Sequence, residues 1–502
     1  MFEKKRLHPI AIVSNLIGVI KESIFPILVF IFLGTRRDNF SVFIIILAIV
    51  VFFGTLISAI VSWLRFVYWI EDQEIRVESG LFVRKKRYIP FDRIQSISTS
   101  QGIIQRLFDQ VKMTIETAGG EQEAVFTAIS KAEAERIQQT IKRAKMEAAI
   151  ADEGELQQES DGEQPSHIPL TEERETVFTL NFKDVLLVAI TSGGTVGVIA
   201  GVLAFVSQIE EYLPFDPFII LRHVFQLYQS NLVTFLLIAL AVIIIAYIIA
   251  IIQSVLKYAH FKVEKTDKHL IISHGLFERH SISVPLNRVQ GIIVYEGFIR
   301  KIFGLATVTI ISGGVSGEDE FSGEVVIAPL IRRSQCASFI EQCRLEYRVD
   351  VPFIPVPERA KIRYVLRPLY VVTIPVLVAS YFLQPWGYLL LLAIPFFAFL
   401  GYKAYRFAGW HIEGSQLAVR SRFFTAKTIY ALKNRIQSLD VSQNWFQYRK
   451  KLHSFYIYLL SGRGMIVGRT IDVAGEDART IYRWLHTEKK RDDATEEKVS
   501  ET

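Results

Sequence analysis

Two hydrophobic patterns alternate along the chain. Six predominantly apolar runs fall at residues 10–33, 40–61, 185–206, 232–255, 366–383 and 386–402, each about the 20 residues that a helix needs to cross a bilayer. The connections within consecutive runs are residues 34–39, 207–231 and 384–385, whereas a long charged segment follows the second run of every pair. This spacing predicts six spanning helices as three hairpins, with all the long segments on one side. The first run is too long for a signal-peptide core and lacks a small-residue cleavage site after it, so no cleavage is expected.

The long segments carry a different period. Ile75 and Val77, the Ser79-Gly80 turn signal and residues 83–89 read as short alternating strands around a turn. Further strands are expected at 111–117, 307–312 and 455–460, and a closing helix in each segment at 130–145, 334–347 and 476–486, with Ser130 and Ser334 as N-caps.

These segments are copies of one another. Residues 76–115 match 271–310 without a gap, sharing Gly80-Leu81-Phe82 with Gly275-Leu276-Phe277, Pro90 with Pro285, Arg93-Ile94-Gln95 with Arg288-Val289-Gln290, Gly102 with Gly297 and Phe108 with Phe303. A third copy repeats Asp92-Arg93-Ile94-Gln95-Ser96 as Asn434-Arg435-Ile436-Gln437-Ser438 and places Phe423-Phe424 at Leu81-Phe82. Two extra residues within 448–451 are expected to bring Leu452 onto Phe108. A membrane hairpin followed by a [DN]-R-[IV]-Q unit resembles the bacterial pleckstrin-homology-like domain family, and three such units look like its YdbT-type multi-pass membrane proteins. Leu7-His8-Pro9, just before the first run, looks like a lead-in motif of the same family. The resemblance implies a fold and an address, without an assigned activity.

The resulting fold class is an integral membrane protein of α-helical hairpins plus α+β units: six spanning helices in three hairpins, each followed by a PH-like bent sheet or barrel capped by a C-terminal helix. The expected partition is hairpin 1–64, unit 65–146, acidic disordered linker 147–176, hairpin 177–256, unit 257–350, linker and hairpin 351–402, unit 403–488 and a disordered charged tail 489–502. Lys4, Lys5, Arg6, Arg65, Lys257, Lys403 and Arg406 flank the runs on the side of the long segments, against Arg36 and Arg37 opposite. The majority puts the N-terminus and all three units in the cytoplasm.

Composition agrees. Half of the 502 residues are hydrophobic and 22% are charged, with a mean hydropathy of +0.29. Two cysteines, Cys336 and Cys343, exclude a disulfide scaffold or a cysteine-rich zinc site. The net charge of +6 is too small to argue for nucleic acid. It is unevenly spread. The stretch 147–175 holds ten acidic residues and one arginine, whereas 65–145, 257–348 and 403–491 count to +3, +2 and +11. The third unit is therefore where anionic headgroups would bind, at about 1 kcal/mol per cation near an anionic leaflet.

The candidate lipid or partner contacts are Arg449, Lys450 and Lys451 beside Trp445, a cation-aromatic mixture suited to a membrane interface. The basic run Arg84, Lys85, Lys86 and Arg87 is either such a patch or a solvated hairpin edge. Arg93, Arg288 and Arg435 occupy one repeated position, either as headgroup contacts or as structural arginines. Lys21 and Glu22 lie mid-run in the first apolar stretch, where charge suggests function, unless that span is short, tilted or kinked at Pro26. Gly193, Gly197 and Gly201 recur every four residues and suit close helix packing; Pro375 and Pro395 are expected to kink their helices. No hydrolase, nucleotide-loop or metalloprotease motif occurs, His260, His269, His274 and His280 lack ligand spacing, and no cofactor or metal is implied.

The favoured reading is a non-catalytic multi-pass cell-membrane scaffold. Its three cytoplasmic units would bind anionic lipid, a membrane-protein partner or a second copy, in envelope homeostasis or tolerance of membrane-active compounds. The alternative is a transporter or lipid-handling export protein using Lys21, Glu22, the glycines and the prolines.

Overall fold

The computed structural model describes residues 4–14, 16, 40–80, 83–117, 124–154, 174–191, 232–313, 323–382, 384, 386–462 and 464–486. It divides into two compact units, one of residues 1–267 and 271–283, the other of 268–270 and 284–502.

In the first unit, β1 (Lys5–Arg6), β2 (Val67–Glu71), β3 (Glu74–Ser79) and β4 (Lys85–Pro90) form an antiparallel sheet in that order, with helix α1 (Phe40–Arg65) leading into β2. A second sheet begins with β5 (Ile94–Gln101), the short helix α2 (Ile103–Leu107), β6 (Gln110–Thr117) and β7 (Ala124–Ser130), and helix α3 (Lys131–Gly154) follows. Its other strands come from the second repeat: β8 (Glu175–Thr179), β9 (Lys262–Lys265), β10 (His269–His274) and β11 (Arg279–Pro285), in the order β7-β6-β5-β11-β10-β9-β8. Between β8 and β9 lie α4 (Phe182–Thr191) and α5 (Leu232–Tyr258), tied by Tyr247 Oη donating to Ile190 O at 2.6 Å.

The second unit repeats the plan. Strands β12 (Val289–Glu296), β13 (Leu305–Ser312) and β14 (Glu324–Arg332) flank the short helix α6 (Phe298–Ile302), and α7 (Cys336–Gln342) follows. This sheet continues into the third repeat through β15 (Ile354–Pro355), β16 (Gly409–Glu413), β17 (Gln416–Arg422) and β18 (Ala426–Leu432), ordered β14-β13-β12-β18-β17-β16-β15. Helices α8 (Lys361–Phe382) and α9 (Ala393–Phe407) precede β16. Strand β19 (Ile436–Ser442), short helix α10 (Trp445–Arg449), β20 (Leu452–Ser461) and β21 (Gly464–Ala474) close the chain with helix α11 over 475–486.

Each internal sheet is thus shared. The second half of one repeat pairs with the first half of the next, β5 with β11 and β12 with β18. Alternating burial explains the faces: Val111, Met113 and Ile115 pack with Phe126, Ile137 and Ile141 in the first core, and Ile429, Leu452, Phe455 and Ile457 with Ile481 in the second. Leu7 belongs to the first core, and Trp63 Nε1 donates to its carbonyl at 2.9 Å. The lead-in residues are therefore part of the unit's packing.

Several expectations change. The third repeat carries no insertion. The residues with left-handed backbone at the same turn are Asp109, Gly304 and Lys451, and the caps before the short helices are Gly102, Gly297 and Asn444. Both sets keep the constant offsets 195 and 342. Helix α3 runs on through Gly154, because the first eight residues assigned to the acidic linker include strong helix formers. In the second repeat the closing helix spans only Cys336–Gln342 after a 3₁₀ turn, and Ser334 does not cap it; Ser130 Oγ does accept from Glu133 N at 3.2 Å. Pro395 stands in the first turn of α9, where a missing N–H costs nothing, while Pro368 and Pro375 are inside α8.

Three helices are long and apolar enough to cross a membrane, namely Leu240–Tyr258, Glu358–Phe382 and Gly387–Phe407, with a shorter apolar one at Phe52–Arg65. Six expected spans thus stand at three among the described residues. Most of the first and third apolar runs, with Lys21, Glu22, Pro26, Gly193, Gly197 and Gly201, lies outside them. The α8–α9 hairpin is tight: a Cβ on Gly401 would meet Tyr364 O at 2.5 Å and Val365 Cα at 2.9 Å.

Candidate membrane-interface site

The repeat puts one short helix in the same place three times, between the first and second strands of each half-sheet. A five-residue helix can bury little of its own surface, and these leave their large side chains out. In α2 and its end, Ile103, Leu107 and Phe108 are exposed, Leu107 at 79%; in α6, Phe298, Ile299, Ile302 and Phe303, with Ile302 at 68%; in α10, Trp445, Phe446 and Tyr448, with Tyr448 at 71%. Each tip also carries cations: Arg106, then Arg300 and Lys301, then Arg449 to Lys451. The Arg449 guanidinium lies 3.9 Å from the Trp445 ring centroid, a cation-π contact.

Every tip is fixed to its scaffold by its third residue, Gln105, Arg300 or Gln447. Gln105 Nε2 donates to Ser14 Oγ at 2.7 Å, at the start of the helix that begins at residue 10, and His8 lies 6.4 Å from Phe108. Arg300 donates to Pro329 O at 3.1 Å and to Thr307 Oγ1, while the Lys301 ammonium sits 4.3 Å from the ring of Phe407, the last residue of α9. Burial lowers the Lys301 pKa, against the opposing pull of Glu296.

The third tip is the most elaborate. Asn444 caps α10 through a reciprocal capping box, Gln447 N donating to Asn444 Oδ1 at 2.8 Å and Asn444 N to Gln447 Oε1 at 2.9 Å. Gln447 Nε2 then reaches Ser454 Oγ at 2.7 Å and Asp472 Oδ1 at 2.8 Å. Asp472 has no exposed surface and also accepts from Arg363 Nε at 2.9 Å and Arg367 at 2.8 Å, both on the first turns of α8. Tyr364 Oη donates to Ile471 O at 2.7 Å, and Arg359 to Lys451 O at 3.3 Å. One buried carboxylate therefore joins the aromatic tip to the root of an apolar helix.

A second apolar feature lies at the hairpin between the second and third strands. Gly80 and Gly275 take φ of +125° and +106°, and a Cβ there would run into the backbone of Val83 or Glu278, so the repeated Gly-Leu-Phe is a turn followed by two apolar residues. Phe277, Phe423 and Phe424 are exposed there, and Phe424 lies 6.1 Å from Phe397 on α9.

The other sequence candidates fall elsewhere. Arg84 to Arg87 straddle the start of the edge strand β4, and Arg84 and Lys86 pair with the buried carboxylate of Glu78. Arg93, Arg288 and Arg435 end equivalent 3₁₀ turns; Arg435 donates to Asn287 O at 2.8 Å, a structural contact between adjoining repeats. Lys450 and Lys451 close the α10 turn. Two of the four histidines stack, with His274 5.7 Å from Phe261 and 5.9 Å from His280. Among the described residues no group of three His, Cys, Asp or Glu is arranged to hold a metal. A cleft of about 260 Å³ bordered by Leu7, Trp63, Val77 and Arg87 contains no carboxylate or histidine.

Sequence reasoning found the third tip and missed the first two. Their signal was present: Gly-apolar-apolar-polar-basic-apolar-Phe at 102–108 and again at 297–303, read only as repeat markers.

A model of the bacterial PH domain matches residues 23–145, 195–370 and 369–489. The chain is 37% identical over 499 residues to the UPF0699 transmembrane protein YdbT of Bacillus subtilis (strain 168), covering 97% of this chain and 99% of that one. Three matched regions on three structural repeats, with full-length similarity to a transmembrane protein, show that the chain belongs to the bacterial PH domain family.

Proposed function

We propose that the protein is a non-catalytic membrane scaffold whose three PH-like units press their short helices into the headgroup layer. Six spanning helices in three hairpins carry the units, which face the cytoplasm with the N-terminus. The observation behind this reading is the coincidence, three times over, of exposed apolar side chains, adjacent cations and a polar anchor, with the first and third anchors tied to the root of an apolar helix. An aqueous surface gains nothing from Leu107, Ile302 and Phe446; an interface buries their apolar bodies and leaves the cations at phosphate depth. The third unit, at +11, provides the preference for anionic lipid, and the assembly acts in envelope homeostasis or tolerance of membrane-active compounds.

The test places a nitroxide at Leu107→Cys, Ile302→Cys or Phe446→Cys in the full chain, in nanodiscs with and without anionic lipid. All three labels should collide with oxygen in preference to a water-soluble nickel reagent. Neutralising Arg449, Lys450 and Lys451 should move the label at 446 outward in anionic discs only. Water-like accessibility at all three sites would overturn the reading. For the cellular role, unchanged sensitivity to envelope-targeting peptides and detergents after loss of the gene would count against it.

A further inference from the structure

The shared sheets leave two strand edges over. Strand β5 pairs with β11 and its repeat equivalent β12 with β18, but the third equivalent, β19, ends its sheet, and β4, the equivalent of β11 and β18, ends another. The two internal junctions use one register. Ser98 faces Ile282 in the first and Ile293 faces Ile429 in the second; Ser98 and Ile293 are the same repeat position, as are Ile282 and Ile429. We propose that β19 of one copy of this chain pairs antiparallel with β4 of a second copy in this same register, joining copies head to tail through their PH-like units.

The register fixes the contacts. The position of Ser98 and Ile293 is Asp440 in β19, and that of Ile282 and Ile429 is Arg87 in β4, so Asp440 falls opposite Arg87, Leu439 opposite Tyr88 and Val441 opposite Lys86. Lys85, two residues along the same face, is diagonal to Asp440. The apolar pairing of the second junction, where Ile293, Ile429 and their neighbours are buried, is replaced by an acid on one edge and a base on the other. Tyr88 and Val441 are exposed at 50% and 39%, as edge residues awaiting a neighbour would be. Burial along the strands follows the pairing: β12 is buried over its first six residues and β18 over most of its length, whereas β19 is mostly exposed and β4 is exposed at Lys85, Lys86 and Tyr88. Complementary edges of opposite charge on one chain make a heterologous interface, which generates rings or filaments of copies.

Two differently tagged full-length chains, one Arg87→Cys and one Asp440→Cys, are co-expressed, oxidised in native membranes and resolved without reductant. Opposed residues of an antiparallel pair have Cα atoms within disulfide range, and the native Cys336 and Cys343 are buried. The expected result is a band carrying both tags, lost on reduction, and about fivefold stronger than that from Arg87→Cys with Val441→Cys, whose side chains point to opposite faces. Arg87→Asp should abolish association of tagged copies, and Arg87→Asp with Asp440→Arg in one chain should restore it. Absence of the mixed band from inserted chains would overturn the proposal and leave the charges as guards of bare edges. A disulfide that forms only within a chain carrying both cysteines would also overturn it.

Discussion

Replacing Asp472 by Asn should loosen the third tip while sparing the rest of its sheet. Asp472 has left-handed backbone, φ +60°, which Asn tolerates better than any other non-glycine residue, so the substitution removes the charge without straining the chain. Its carboxylate accepts from two guanidinium groups and from Gln447. Hydrogen bonds to charged groups contribute about 1.5–3 kcal/mol each. Arg363 and Arg367 retain 21% and 42% of their exposure, so water rehydrates them in the variant and the loss is discounted to about 2–3 kcal/mol in total. The opening free energy of α10 should fall by that amount. Hydrogen exchange at the amides of Gln447 and Tyr448 in the full chain should accelerate about 30- to 160-fold, with amides in α6 unchanged. Unaltered protection in α10, or equal acceleration in both tips, would refute the clamp.

The α8–α9 contact gives a second outcome: Gly401→Ala should lower the thermal unfolding midpoint in detergent by the equivalent of about 1–3 kcal/mol, whereas Gly54→Ala, with no described residue within 4 Å of its added methyl, should not. Gly291 stands where β18 passes β12, and a Cβ there would meet Tyr430 O at 2.8 Å; Gly291→Ala should increase protease cutting in β18 by about tenfold, an overpacking cost of about 1.4 kcal/mol. Burial pushes the Cys336 thiol up to about 11, partly offset by Arg333. At pH 8 only about one thiol in a thousand is then ionised, so the folded chain should react with a thiol reagent far more slowly than the unfolded chain.

Strand positions and the repeat were legible in the sequence, because period-two alternation reports which face of a strand is buried and the copies keep constant offsets. Sheet partners were not. Ile282 and Arg87 occupy the same repeat position with the same alternation, and nothing local says that one lies beside a neighbouring strand and the other at an edge. The supposed insertion near Tyr448 arose from aligning Leu452 with Phe108 by side-chain type. The left-handed turn at Asp109, Gly304 and Lys451 shows that backbone conformation is the repeated property, occupied by three unlike residues. The tip anchors were invisible for a related reason, since Gln105, Arg300 and Gln447 share a location and a task but no chemistry. Nothing in the sequence around Asp472 marks it either, since its partners Arg363 and Arg367 lie over 100 residues earlier.

Sheet sharing also sets the order of events during synthesis. Strand β5 is complete when Gln101 leaves the ribosome, yet its partner residues in β11, beginning at Arg279, follow about 180 residues later. At typical elongation rates that interval is roughly 10–35 s. Throughout it the nascent first half of the protein shows an unfilled strand edge while the apolar helix Leu240–Tyr258 is being made. A shorter delay recurs between β12, which ends at Glu296, and β18, which begins at Ala426. Pairing of the shared sheet therefore waits on synthesis of the intervening apolar segment, and a stall there would leave a sticky edge, where holdase chaperones should be found bound.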